Sequence, residues 1–275
     1  FGCIQSFAQT GVSSPYSRYG LGRLQESGFH SIAGMGGIGI ALNNPGIINL
    51  SNPASYSSFK PQSFILETGV ETNTVKLTTS DTNQTTYSTS ISYFAFGFPI
   101  TKWWGSSIGI KPFTKTNYSV SDSDLDSNIG KVNYLYEGSG GINQLYWGNG
   151  FRIRNFSFGI NASYLFGPLE KSSREIFEAE NTLHYYTNES VNIGAFHFNY
   201  GIQYKYTFDT LFHHHLKDKI TISAGAVADL NTNLKSRRRL LAVTFEEYVS
   251  DPFLILPKDT IVYSTDTGII VFPGG

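Results

Sequence analysis

The stretch RNFSFGINASYLFG, residues 154–167, alternates between apolar and polar or small side chains. A period of two is typical of a β-strand, because successive side chains point to opposite faces. This stretch therefore predicts a strand with one apolar and one polar face. The apolar set is Phe156, Phe158, Ile160, Ala162, Tyr164 and Phe166, and the other set is Ser157, Gly159, Asn161 and Ser163.

The same alternation recurs along the chain, most clearly from Asn192 to Phe208, where aromatic residues occupy one parity. We count seven predicted strands, and residues 259–275 allow an eighth. The seven segments are 62–77, 85–99, 106–120, 131–148, 154–167, 192–208 and 220–231.

The length and polarity of these segments favour a membrane barrel over a soluble β-sandwich, which also alternates. Several segments reach the roughly 9–11 residues that cross a bilayer obliquely. Their polar faces carry Ser, Asn and Gly rather than Lys and Glu, and aromatic residues collect near the segment ends. Long polar connections, such as residues 170–190 and 235–259, alternate with short ones. The pattern predicts an all-β, antiparallel, transmembrane outer-membrane β-barrel.

The composition excludes several other classes. Charged residues make up 15% of the 275, and the net charge of −1 does not favour a nucleic-acid partner. Cys3 is the only cysteine, so no disulfide and no cysteine metal site forms within the chain. No run approaches the roughly 18 apolar residues of a membrane-spanning helix.

Three regions follow from this pattern. Residues 1–8 read as the remnant of a secretory signal, with Ser6 and Ala8 at the positions that a signal peptidase reads. Residues 9–60 form an N-terminal segment, and residues 61–275 form the strands with long outer loops. Because seven or eight strands end at FPGG, we expect an incomplete part of a larger barrel, with a complete eight-stranded barrel as the alternative.

The glycine-rich stretch GMGGIGIAL, residues 34–42, invites comparison with phosphate-binding loops. A Walker loop ends in Gly-Lys-Ser/Thr, but no lysine occurs between Arg23 and Lys60. The spacing Gly34-x-Gly36-x-x-Gly39 fits the dinucleotide pattern, but no strand precedes it, no βαβ unit follows, and the acidic residue expected about twenty positions further on is absent. Small residues also allow close backbone packing, which a short helix or loop inside a barrel needs.

Three N-terminal motifs resemble the long-chain fatty-acid transporter (FadL-type) family of outer-membrane proteins, and its Bacteroidetes branch in particular. The motifs are SPYSRYGLG at 14–22, GMGGIGIAL at 34–42 and NLSNPASYS at 49–57. This resemblance implies a fourteen-stranded barrel, about half of it present, in the bacterial outer membrane. It also implies an N-terminal hatch formed by Gly34, Gly36, Gly37, Asn52, Pro53 and Ala54.

The same resemblance implies passive uptake of small hydrophobic compounds, with outer-membrane lipids and an apolar cargo as partners. Ser51 stands where the family has an acidic residue near Asn-Pro-Ala. The alternative is a non-transporting plugged barrel that serves as an accessory subunit or shuttle of an outer-membrane secretion complex.

Other candidate residues suggest no enzyme, no cofactor and no metal site. Polar-face residues Asn161, His197, Gln203 and Lys205 are expected to line the lumen, and no G-x-S-x-G nucleophile elbow occurs. The run at 213–215, three histidines, fits a solvated turn better than a metal site, because consecutive residues cannot all face one ion. Arg237, Arg238 and Arg239 either contact lipopolysaccharide phosphates or form a solvated charge run.

Overall fold

The structure is a computed structural model. The predicted signal remnant at residues 1–8, which includes Cys3, and the histidine run at 213–215 lie outside the residues that the structure describes. It describes residues 14–25, 29–78, 83–126, 130–178, 182–210, 218–246 and 256–272.

The described residues form one antiparallel sheet of twelve strands, which confirms the all-β, antiparallel prediction. None of the described helices is long and apolar enough to cross a membrane. The longest strands are β8, Phe156–Phe177, and β9, His184–Thr210. The other strands are β1 Arg23–Leu24, β2 Ile65–Thr78, β3 Asn83–Pro99, β4 Trp104–Pro112, β5 Thr114–Asp126, β6 Gly130–Gly140, β7 Asn143–Ile153, β10 Asp218–Asp229, β11 Thr232–Glu246 and β12 Leu256–Phe272.

The count of seven or eight strands was wrong. Three times the chain crosses the sheet as two consecutive strands with a short break between them, and β1 adds a further short strand. The segment predicted at 106–120 breaks at Phe113, between β4 and β5. The segment at 131–148 breaks at Gly141-Ile142, and the pass through β10 and β11 breaks at Leu230-Asn231. Each break separates two strands that continue in the same direction.

The prediction of long outer loops was also largely wrong. Most of 170–190 continues β8 or begins β9, and residues 235–246 belong to β11. Their polar side chains suggested loops, but hydrogen bonds to neighbouring strands hold them in the sheet.

The long strands β8 and β9 run through the whole sheet, and each changes its pairing partner partway along its length. This change divides the sheet into two halves. Residues 156–166 of β8 pair with β7, and residues 169–177 pair with β6. Residues 199–210 of β9 pair with β10, and residues 184–194 pair with β11. We call the side with β4, β7 and β10 the near half, and the side with β5, β6, β11 and β12 the far half.

The two faces of the near half have the reverse of a soluble sheet's polarity. Residues 29–59, which we call the internal segment, cover one face, defined here as the inner face. Polar residues on that face are buried, with Asn161 1% and Gln203 2% exposed. On the opposite, outer face, large apolar side chains are exposed, including Ile108 at 43% and Phe196 at 69%.

The buried apolar residues form two clusters on the inner side. The first, which includes Phe29, Tyr56 and Tyr146, packs the internal segment against the near half. The second lies where the two halves meet and includes Ile142, Leu165 and Leu234. In the described part of the chain, β2 and β12 do not pair with each other.

Candidate functional site

The internal segment follows the inner face because glycines on the strands leave room for its backbone. A Cβ at Gly159 would collide with the backbone of Pro53 and Ala54. A Cβ at Gly105 would collide with the carbonyl group of Tyr56, and one at Gly225 with that of Ile40. The close packing therefore depends on glycines of five strands, which are Gly105, Gly148, Gly150, Gly159, Gly201 and Gly225.

Asn52 connects two parts of the internal segment to the sheet. Its side-chain oxygen accepts a hydrogen bond from the Ala54 amide at 3.0 Å, which caps the 3₁₀ helix Pro53–Ser58. Its side-chain nitrogen donates to the Ile40 carbonyl at 2.7 Å and to the Ile202 carbonyl of β9 at 3.2 Å. Asn52, Pro53 and Ala54 are all buried.

Gly34, Gly36 and Gly37 were expected to allow close backbone packing, but in the structure they shape a helix end and a turn. Gly34 ends the short helix α1, His30–Ala33. Gly36 and Gly37 have φ angles of 71° and 80°, in the left-handed region that favours glycine. All three are exposed, and no atom lies within 4 Å of a Cβ added at Gly36 or Gly37. These two glycines therefore permit a turn, and their assignment to a hatch stays a prediction.

The polar residues predicted to line a lumen lie on the inner face, and three of them bind the internal segment. Gln203 donates to the carbonyl groups of Ile40 and Leu42, at 2.9 and 3.2 Å. Asn161 donates to the Leu50 carbonyl at 3.4 Å, and Lys205 to the Asn43 side-chain oxygen at 3.5 Å. Much of the polar face is thus occupied by protein.

His197 belongs to a small polar cluster beside the internal segment. Its Nδ1 lies 2.9 Å from the Thr232 hydroxyl, and its Nε2 lies 3.6 Å from Asp229. Asn199 donates to the same Asp229 oxygen at 2.7 Å. His197, Asn199 and Asp229 border a cavity of about 270 Å³. Among the described residues, no group of three or more His, Cys, Asp or Glu side chains could hold a metal ion.

Tyr56 anchors the 3₁₀ helix in the first buried cluster. Its side chain is 0% exposed, and its ring stacks on Phe59 with a centroid distance of 5.7 Å. Burial raises the pKa of Tyr56 well above its ordinary value, so the hydroxyl stays neutral. The anchor therefore carries no charge into the interior.

In the far half, the backbone hydrogen bonding of the sheet is interrupted between β3 and β5. Backbone pairing of β3 with β4 ends at Phe94 and Ile110, although both chain passes continue. Beyond this point, β1 pairs with Lys115 and Thr114 of β5 instead. Sequence reasoning missed this division, because both strands keep their alternation through it.

Lys115 bridges the division with its side chain. Its ammonium donates to the Ser90 hydroxyl at 2.8 Å and to Glu71 at 3.2 Å. Both members of the ion pair are 28% exposed. The contact ties β5 to β2 and β3 where the backbone ladder is absent.

We expect Lys115→Met to destabilise the protein by about 1 kcal/mol, because it removes two hydrogen bonds and leaves Glu71 half-buried without its cation. Lys131→Met is the matched control, since the Lys131–Glu178 pair is about half exposed. Denaturant unfolding of the full-length protein in detergent measures both. Equal effects for the two variants would contradict a bridging role for Lys115.

The comparisons define the class of protein first. A family model described as BamG matches residues 1–253, which is most of the chain, and this family suggests a role in outer-membrane protein assembly. The chain belongs to the BamG family. Neither the curated proteins nor the solved structures contain a match.

Family membership corrects the resemblance to FadL-type transporters. The chain belongs to a distinct family, so the transporter assignment and the expected uptake of hydrophobic compounds were both wrong. Membership instead implies a location associated with the outer membrane and association with the outer-membrane assembly complex. The Gly-rich and Asn-Pro-Ala motifs misled because they specify a turn and a helix cap, which are not specific to transport.

Proposed function

We propose that this protein is a membrane-embedded accessory subunit of the outer-membrane protein assembly complex, built as a plugged β-sheet wall rather than a conduit. BamG membership supports the association, and the sequence already offered an accessory role as the alternative reading. The single observation that carries the proposal is a change on the outer face, from apolar to polar, along unbroken strands β8 and β9.

The near half is the membrane part in this proposal. Strands β4 and β7 have 9 and 11 residues, which matches the roughly 9–11 residues of a tilted transmembrane strand. Exposed apolar side chains cover the outer face of six neighbouring strands, which a water-facing surface rarely shows. They include Phe94, Ile108, Ile110, Leu145, Trp147, Phe156, Phe158, Tyr164, Phe196 and Ile222.

The internal segment is the plug, or hatch, of the wall. Strand glycines bring its backbone against the sheet, and Asn161 and Gln203 bind its carbonyl groups. These polar groups would otherwise line a water-filled path. A filled inner face fits a structural subunit better than a conduit.

The far half projects beyond the membrane and contacts other subunits. On its outer face, Ser119, Glu137, Ser172 and Asn188 are register partners across β5, β6, β8 and β9. Residues 168–177 of β8 alone extend about 30 Å, at roughly 3.3 Å per residue. A polar groove of about 290 Å³ lies on this face and is lined by Ser139, Glu170 and Tyr186, among others.

Co-purification from native outer membranes tests the proposal, with full-length tagged protein extracted in mild detergent. We expect the wild type to bring down the assembly complex and Ser139→Trp to lose most of it, because the indole would fill the groove. Leu145→Trp, on the same chain pass but on the apolar outer face, should retain the complex. Quantitative mass spectrometry measures the recovered subunits.

Two results would contradict this proposal in different ways. A folded wild type that recovers no assembly subunits would overturn the accessory role. Full recovery by folded Ser139→Trp would instead remove the groove from the contact surface.

A further inference from the structure

Three basic side chains form a row on the outer face of β11. Lys235, Arg237 and Arg239 alternate along the strand, so they point to the same side. Lys235 pairs with Gly194 of β9, which in turn pairs with Phe166 on the outer face of β8. We call these three residues the basic row.

The intervening Arg238 points to the other face. Its Nε donates to Glu189 at 2.7 Å, so its charge is balanced within the protein. The sequence run of three arginines therefore contains one ion-paired residue and two members of the basic row. Lys235, four positions before Arg239, was missed because it lies outside the run.

No carboxylate is a direct register partner of the basic row, and Glu170, which pairs with Ser190, lies one strand farther away on the same face. Its register partners are Gly194, Asn192 and Ser190 on β9, and Ile269, Thr267 and Thr265 on β12. Within the described part of the chain, none of its three members takes part in an ion pair. Three adjacent cations without counter-charges attract an anionic ligand.

The basic row begins where the apolar outer face of the near half ends. Tyr164 and Phe196 are exposed register partners. They lie two residues along β8 and β9 from the level of Gly194 and Lys235, towards the near half. An open cavity of about 940 Å³ is bordered by the row, Tyr164, Gly194 and Ile269. Since Gly194 has no side chain, the Tyr164 ring extends over it beneath the cations, with its hydroxyl oxygen 3.0 Å from where a Cβ of residue 194 would lie.

We propose that this cavity binds a phosphorylated glycolipid of the outer leaflet, with its phosphate on the basic row and its acyl chains along Tyr164 and Phe196. The guanidinium groups of Arg237 and Arg239 suit phosphate because they donate paired hydrogen bonds. The inference rests on the proposed membrane position of the near half. It adds a lipid site to a protein whose assembly role does not require one.

Binding of lipid A to the full-length protein in neutral detergent micelles tests the inference. We expect the triple variant Lys235→Gln/Arg237→Gln/Arg239→Gln to bind about tenfold or more weakly than wild type, because it loses all three cations that attract the anionic lipid. Arg238→Gln is the matched control, since it removes one charge from the same strand on the other face. It should change the affinity less than about twofold.

Two further probes separate the possible sources of phosphate. Dephosphorylated lipid A should bind weakly, and inorganic phosphate should compete poorly because it lacks acyl chains. Equal binding of dephosphorylated lipid A, or equal loss in Arg238→Gln and the triple variant, would overturn the inference. A protein that inserts into bilayers but binds lipid A independently of the row refutes only this site, whereas failure to insert refutes the proposed membrane role.

Discussion

Replacing Asn52 by alanine should destabilise the folded protein by about 3 kcal/mol. The substitution removes the cap of the 3₁₀ helix Pro53–Ser58, which is worth about 0.5–2 kcal/mol. It also removes the hydrogen bonds that Asn52 donates to the carbonyl groups of Ile40 and Ile202, at about 0.5–1.5 kcal/mol each, while Gln203 still donates to Ile40. Denaturant unfolding in detergent, followed by hydrogen exchange of residues 50–57, measures the effect.

Asn44→Ala is the matched control within the same internal segment. Asn44 also caps a local turn, because its side-chain oxygen accepts from the Gly46 amide at 2.9 Å, but it is exposed. We expect its loss to cost less than about 1 kcal/mol. If Asn52→Ala proves as mild as Asn44→Ala, the internal segment is not held to β9 through this side chain.

The strands of the near half could be predicted from the sequence because every second side chain faces a different environment. Phe156 to Phe166 alternate, and the structure puts the aromatic parity on the exposed outer face and Asn161 on the buried inner face. Asn52, Pro53 and Ala54 were likewise assigned to the N-terminal segment that precedes the strands. Their contacts with Gly159 and Gly201 were not predictable, because they join residues about 100 or more positions apart.

The far half was predicted incorrectly because polar segments there form strands, whereas polar composition had suggested loops. Residues 235–246 carry four cations beside one Leu-Leu pair, which suggested a loop, yet β9 and β12 pair with them on both sides. The breaks at Phe113 and Gly141-Ile142 leave the alternation almost intact, so no local signal marks them. Which arginines of 237–239 face outward became evident only from the register with β9.

The family resemblance failed for a related physical reason. Glycine-rich turns and Asn-Pro-Ala caps are needed wherever a chain packs against the inside of a sheet, whatever the sheet does. Gly36 and Gly37 serve backbone conformation, and Asn52 serves capping. Such residues therefore indicate an internal segment but do not indicate a cargo.

Replacing Ile108 by arginine should destabilise the protein in phospholipid vesicles by about 2–4 kcal/mol, the cost of an arginine on the lipid face near the bilayer middle. Ile108 is 43% exposed and lies midway along β4, with Phe96 and Trp147 as its register partners on the outer face. Urea unfolding of vesicle-inserted protein measures the change. In a water-facing sheet the same exposed position would accept arginine with little effect.

Ser119→Arg is the control that makes this result specific to the membrane. Ser119 is exposed on the outer face of β5, on the same chain pass as Ile108 but in the far half. An arginine there should cost less than about 1 kcal/mol, because the position lies beyond the hydrocarbon region. Equal costs at the two positions would mean that the bilayer does not end between β4 and β5, and the division of the sheet into membrane and projecting halves would have to be abandoned.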